Sequence, residues 1–226
     1  MLEFVQSSPL TAVIIGITCL VSYLAFENRE LLDKLIFHPY SVARNPSERV
    51  RFITNGFIHA DFMHLGINMY VLFLFGGFIE RTFNSIFDPV LGKVFYLLLY
   101  FGAVIVACIP AYMKHKENSY YRSLGASGGT SAVILGYCIF LPWSWLYLMF
   151  VLPIPAIVFA IGYLYYSNHM SKKASDNIAH DAHFGGALFG LIFTLILIIG
   201  LGPEQLISNL IASLLQGPTW PTMPSF

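Results

Sequence analysis

The chain has 226 residues, 57% of them hydrophobic and 16% aromatic, with only 11% charged and a mean hydropathy of +0.69. Soluble domains carry roughly 25% charged residues, so the composition excludes an ordinary soluble domain, a disordered chain and a coiled coil. Net charge is zero, from 12 basic and 12 acidic side chains without a basic cluster, which leaves no electrostatic footprint for a nucleic-acid partner.

The charges divide the chain. Runs free of Asp, Glu, Lys and Arg cover 4–26, 62–79, 94–113, 123–171, 182–203 and 205–226. A spanning helix needs roughly 20 mostly apolar residues, which predicts spans at about 10–26, 62–80 and 94–113. Segment 1–9 has no Lys or Arg, and the first apolar run ends in Phe26-Glu27 rather than at a small-residue cleavage site, so helix 1 reads as a retained span and not a signal peptide. The long segment 27–61 mixes apolar and charged residues and reads as a structured, partly amphipathic loop. The run 123–171 is too long for one span and breaks at Pro142-Trp143-Ser144-Trp145, which predicts helices over 127–141 and 145–166. A sixth span follows at 182–201. In 204–216, Leu206, Ile207, Leu210, Ile211, Leu214 and Leu215 form one helical stripe, so this segment either lies on the bilayer or packs on the bundle. The tail 217–226 reads as loose. No internal repeat is visible, and 1–226 reads as a single domain. Cys19, Cys108 and Cys138 each sit in an apolar run and read as buried hydrophobes.

Six helices put both termini on one side. Arg29, Lys34, Arg44, Arg49, Arg51, Lys114, Lys116, Arg122, Lys172 and Lys173 then fall on the opposite side, against only Arg81 and Lys93 on the side of the termini. By the positive-inside rule the odd-numbered loops would be cytoplasmic.

Polar side chains within spans are costly and point to function by default. His64 and Asn68, at i and i+4, share a face near the start of helix 2, either as a site pair or as helix-packing hydrogen bonds. His59 precedes them. Gly125-Ala-Ser127-Gly128 begins helix 4, where the glycines leave the Ser127 hydroxyl uncrowded and the unpaired N–H groups of a helix start favour developing negative charge. Alone, such a serine is more often an N-cap. Gly128, Ala132 and Gly136 follow at i+4 spacing and predict a close partner helix. His183 opens helix 6, with Gly186 and Gly190 below it on one face. If the two glycine faces meet, Ser127 and His183 come within reach of one another, the minimum for an activated nucleophile. Glu80-Arg81 reads as an ion pair or a snorkelling pair. No acidic third member is predicted, and the histidines lack the spacing of a zinc site, so neither metal nor cofactor is expected.

Together these residues resemble the rhomboid family of intramembrane serine proteases, in order, over about 51–201. The helix-2 stretch His59, His64, Asn68 and Gly76-Gly77-Phe-Ile-Glu80 is similar to the family's helix-2 pattern. Gly125-Ala-Ser127-Gly128 is similar to its GxSG motif, and Ala182-His183-Phe-Gly-Gly186-Ala-Leu-Phe-Gly190 to its AHxxGxxxG motif. The resemblance implies an all-α, six-helix membrane bundle and endopeptidase action in or near transmembrane segments of membrane-protein substrates within the lipid bilayer. It implies Ser127 as nucleophile and His183 as general base, an oxyanion hole from His64, Asn68 and the Ser127 backbone N–H, and close packing at Gly125, Gly128, Gly186 and Gly190. It implies a mobile gate from helix 5 and loop 167–181. For bacterial members it implies an inner-membrane location with cytoplasmic termini, the reverse of the charge count. Two departures stand out. The family's aromatic four residues after the nucleophile, stacked on the catalytic histidine, is here Ser131, and its Trp-Arg pair in loop 1 is absent. The rival readings are a non-catalytic rhomboid-like protein that binds membrane clients, or a small transporter.

Overall fold

The computed structural model describes residues 2–148, 151–173 and 179–218. Its main elements in chain order are α1 (Pro9–Glu27), α2 (Phe62–Ile86), α3 (Pro89–His115), α4 (Ser127–Phe140), a hairpin of β1 (Trp145–Leu148) and β2 (Leu152–Pro155), then α5 (Ala156–Lys173), α6 (His180–Leu201) and α7 (Glu204–Gln216). Helices α1, α2, α3 and α6 are long and apolar enough to cross a membrane. This is the helical bundle of a polytopic membrane protein.

Helix α4 is the centre of the fold. It has 14 residues, about 21 Å at about 1.5 Å per residue, too short for a bilayer core of about 30 Å. It is surrounded by protein instead, with ten of its residues buried. Ala132 and Val133 join Tyr96, Leu99, Tyr100, Ala103 and Val104 of α3, Leu72 and Ile79 of α2 and Leu197 of α6 in one apolar core. The N-terminus of α4 lies inside the bundle, with Ala126 fully buried.

Two spans differ from the charge-free runs. Helix α2 runs on to Ile86, past Glu80 and Arg81, because both charges find partners in α1 and its approach. Buried Glu80 accepts from the Leu10 N–H at 3.0 Å and the Thr11 N–H at 2.7 Å, and its Oε2 also lies 2.7 Å from Thr11 Oγ1. An anion there satisfies orphan donors of a helix start and meets the positive end of its dipole. Arg81 donates to Ser8 Oγ at 2.7 Å. The two residues therefore serve the entry of α1 rather than each other.

The second difference is a correction. The segment 145–166 is not one helix. Its first part pairs as an antiparallel hairpin, with Trp145 opposite Pro155 and Leu148 opposite Leu152. Pro153 and Pro155 lack N–H groups and push Leu152 and Ile154 toward the extended region, which disfavours a helix through 152–155. Helix α5 then continues to Lys173.

Loops 1 and 3 form one plate over the bundle. Phe37 and Ser123 exchange backbone hydrogen bonds of 3.0 and 3.1 Å. Arg44 reaches Glu117 at 2.7 Å and stacks on Tyr40 at 3.6 Å. Arg51 bonds Glu48 and donates to the Ile36 carbonyl at 2.8 Å, which holds the short helix Arg29–Leu35 in place. On the opposite side, α7 packs Leu206, Ile207 and Leu210 onto the core, and Trp143 Nε1 donates to the Ser213 carbonyl at 2.9 Å. One edge of the 204–216 stripe thus contacts the bundle, while Ile211, Leu214 and Leu215 are exposed. The tail 217–226 lies outside the described residues from 219 onward.

Candidate active site

Helices α4 and α6 touch backbone to backbone. A Cβ built on Gly186 would lie 2.3 Å from the Gly128 carbonyl oxygen, and one on Gly190 would lie 2.4 Å from Ala132 Cα. One turn farther, a Cβ on Gly136 would meet Thr194 Oγ1 at 3.2 Å. Three small pairs in succession therefore join the two helices along the stripe 128, 132, 136. Ser127 stands one residue before Gly128, and His183 stands one turn above Gly186. Both line the same cavity of about 1200 Å³, together with His64, Asn68, Thr130, Ser131, Tyr163 and His180. Tyr120, Tyr121, Arg122 and Ser123 also line it, so it extends to the loop 1 and 3 plate.

Ser127 is the first residue of α4, and Ala126 occupies the cap position without a side-chain bond. The hydroxyl of Ser127 is thus not spent as an N-cap. Gly125 plays another part than helix packing. Its φ of 122° requires glycine, and a Cβ there would lie 2.8 Å from His64 Cε1. The turn that delivers Ser127 and the ring of His64 consequently fit together only with glycine between them.

His64 begins α2, where Asp61 caps its N–H at 2.7 Å. The Ala60 N–H points at His64 Nδ1 from 3.5 Å, a long contact that favours the tautomer with its proton on Nε2. Asn68 is buried, donates to the His64 carbonyl at 2.8 Å, and has its Oδ1 3.0 Å from Thr130 Oγ1. That arrangement fixes the amide and leaves one of its two N–H bonds for the cavity. Thr130 Oγ1 also lies 3.2 Å from the Ser127 carbonyl, tying Asn68 to the first turn of α4.

His59 is separate from this group. It does not line the cavity, is almost fully buried, and its Nε2 accepts from the Ala126 N–H at 3.2 Å while Nδ1 faces Ser22 Oγ at 3.0 Å. Ser22 donates onward to the Phe57 carbonyl at 2.9 Å, so Nδ1 carries the proton. Burial, with the neighbouring His64 second, pushes the His59 pKa down to about 3. His59 is a neutral strut that holds the turn before Ser127. The Asn55 carbonyl helps by accepting from the Gly125 N–H at 3.0 Å.

Around His183 the structure adds Tyr163, which the sequence did not single out. The Tyr163 ring stacks on the His183 ring with centroids 6.4 Å apart and an angle of 21°, and Tyr163 Oη lies 2.6 Å from Ser131 Oγ. His180 meets His183 edge-on at 5.9 Å. Only the spacing of Phe159 and Tyr163, at i and i+4, hinted at an aromatic face on α5. The expected gate loop 167–181 is in part helical, in α5 and α6, and its residues 174–178 lie outside the described residues. Among the described residues, no three His, Cys, Asp or Glu side chains are grouped to hold a metal ion.

A family model described as a rhomboid domain matches residues 46–200. The chain is 33% identical over 149 residues to "RHOMBOID-like protein 12, mitochondrial" of Arabidopsis thaliana, covering 62% of this chain and 44% of that one. It is 29% identical over 174 residues to "Presenilin-associated rhomboid-like protein A, mitochondrial" of Danio rerio, covering 71% and 40%. It is 27% identical over 200 residues to "Rhomboid protease GlpG" of Haemophilus influenzae, covering 85% and 93%. The chain thus spans about two fifths of the length of the two mitochondrial relatives.

Proposed function

The chain belongs to the rhomboid family, and from that premise we propose that it is an intramembrane serine endopeptidase that cuts membrane-protein substrates with Ser127 and His183. The observation that carries this reading is the contact of Gly186 on Gly128. It brings the start of α4 against the start of α6, and Ser127 and His183 line the same cavity.

In this mechanism His183 takes the Ser127 proton as Oγ attacks the scissile carbonyl, then returns it to the leaving amine. Proton transfer of this kind contributes roughly 10²–10⁴-fold. The negative oxygen of the tetrahedral intermediate is received by the Ser127 N–H, the remaining Asn68 N–H and His64 Nε2–H. Each preorganised donor in a water-poor site is worth roughly 2.7–4 kcal/mol. The position of Ser127 near one membrane face selects substrates whose helix can unwind there, since an intact helix keeps its carbonyls in hydrogen bonds. Small and helix-breaking residues near the cut should therefore favour cleavage, and a substrate with its Gly and Pro replaced by Leu should be cut more slowly.

The protein is an integral membrane protein. We place it in a bacterial plasma membrane with cytoplasmic termini, as the resemblance to six-helix bacterial members implies; the mitochondrial relatives make a mitochondrial membrane the second reading. A C-terminal reporter active only outside the cytoplasm would contradict that orientation. The test of the activity is incubation of the purified protein with a single-span substrate, wild type against Ser127→Ala. Cleavage by the wild type alone supports the reading. Equal behaviour of the two proteins would replace it with client binding or transport.

A further inference from the structure

A polar contact and a ring contact in the cavity join three helices. Ser131 lies one helical turn below Ser127 on the same face of α4 and is buried. Its Oγ meets Tyr163 Oη on α5 at 2.6 Å. The ring of Tyr163 in turn lies nearly parallel to His183 on α6, at 6.4 Å and 21°. Phe159, one turn away on α5, stacks on the other end of this arrangement at 5.6 Å and 15° from Tyr163. We infer that Tyr163 is a positioning residue for His183, with its ring plane setting the imidazole plane and Ser131 anchoring the ring. The inference rests on the Ser127–His183 reading above.

Two torsions set the direction of a histidine ring, and the ring must aim a nitrogen at Ser127 to accept its proton. A parallel aromatic face at this separation is a favourable offset arrangement and resists rotation of the imidazole out of its plane. A ring alone can slide. The hydroxyl bond to Ser131 removes that freedom and ties Tyr163 to the helix that carries Ser127. The nucleophile and the anchor thus share α4, the base sits on α6, and Tyr163 bridges them from α5. Ser131 is in this way committed to Tyr163 and is not a second nucleophile. The arrangement also makes the alignment of His183 conditional on α5. Among the described residues of α5 only Ala156 and Ser167 are buried. When α5 moves away, its ring goes with it, so His183 is fully aligned only with α5 seated.

The test compares wild type, Ser127→Ala, Ser131→Ala, Tyr163→Phe, Tyr163→Leu and the Ser131→Ala/Tyr163→Phe double variant. Each is purified in detergent, checked by thermal unfolding, and measured for kcat and KM on a single-span substrate and for the rate of fluorophosphonate labelling. Tyr163→Leu should lower kcat about 10–100-fold with KM within about twofold, because misplacement by about 1 Å costs up to about 10²-fold. Tyr163→Phe keeps the stacking face and should recover activity to within about 3–10-fold of wild type. Ser131→Ala should match Tyr163→Phe, and the double variant should be no worse than either, since both remove one shared bond. Labelling rates should follow the same order. The inference is overturned if Tyr163→Leu keeps wild-type kcat, if the loss lies in KM alone, or if Phe and Leu are equally impaired. It is also overturned if Ser131→Ala and Tyr163→Phe add in the double variant, an outcome that stays readable even if Tyr163→Leu does not fold. A wild type that neither cleaves nor labels at Ser127 would instead remove the dyad reading itself.

Discussion

Gly186→Ala is the smallest change that should separate activity from folding in this protein. A methyl group at Gly186 would lie 2.3 Å from the Gly128 carbonyl oxygen, 2.7 Å from its Cα and 2.8 Å from its carbonyl carbon. All three atoms are backbone, so no side chain can turn aside to relieve the overlap. Helices α4 and α6 must separate by about 1 Å at the level of the site. Overpacking of this kind costs about 1–3 kcal/mol, while alanine in a helix recovers about 1 kcal/mol over glycine. The net loss of stability should be only about 0–2 kcal/mol. Catalysis should suffer far more, because a displacement of about 1 Å between nucleophile and base can cost about 10²-fold. Gly16→Ala in α1 is the control, since nothing lies within 4 Å of its added methyl, and it should be neutral or stabilising by up to about 1 kcal/mol. The assay is kcat on a single-span substrate beside the unfolding midpoint in detergent. A Gly186→Ala protein with wild-type kcat would refute the idea that this contact sets the distance from Ser127 to His183.

Other residues give separable tests. Asn68→Ala should lower turnover about 10²–10³-fold with only about 1–3 kcal/mol of stability lost, from its bonds to His64 and Thr130; lost stability with intact specific activity would remove Asn68 from the site. Glu80→Ala should destabilise by more than about 3 kcal/mol by orphaning the Leu10 and Thr11 N–H groups, and a change under about 1 kcal/mol would contradict the capping role. His59 is held down to about 3 by burial against about 6.5 in an unfolded chain. Below about pH 6.5 the unfolded state takes up a proton that the folded state refuses, so the stability is present above that pH and is lost as pH falls toward 3. The slope is at most about 1.4 kcal/mol per pH unit, or about 2 kcal/mol between pH 6.5 and pH 5, read from denaturant unfolding. An equal slope in His59→Gln would show that His59 is not its source.

Much of this was legible because membrane chemistry makes polar residues conspicuous. The glycine and alanine stripes of α4 and α6 announced a close contact, and the structure pairs 128 with 186, 132 with 190 and 136 with 194. A charge-based boundary sets the start of α3 five residues late, at 94, because Lys93 ends the charge-free run; Asp88-Pro89 is the start signal that this boundary leaves unread, with the Asp88 carboxylate accepting from the Val90 N–H at 2.9 Å. Long-range partners were not legible. Nothing local shows that Glu80 serves the start of α1, some 70 residues earlier, so the charge pair looked like the end of α2 when the helix continues to Ile86. The hairpin at 145–155 was readable in principle from Pro153 and Pro155, but an apolar run suits a helix and a strand equally well. His59 and His64 look alike in sequence, and only their neighbours separate a buried strut from a cavity side chain. Tyr163 carries no mark linking it to His183, since the two meet only through the packing of α5 on α6.

The central claim is that one serine is activated by one histidine, and active-site labelling addresses it most directly. Purified protein treated with a fluorophosphonate probe and mapped by peptide mass spectrometry should carry the adduct on Ser127. Ser127→Ala should abolish labelling, and His183→Ala should nearly abolish it by removing the base. Ser123→Ala should leave most of it, because Ser123 precedes the Gly125 turn, in the bridge to Phe37, and is not at the start of α4. An adduct that survives Ser127→Ala, or labelling at full rate in His183→Ala, would contradict the account.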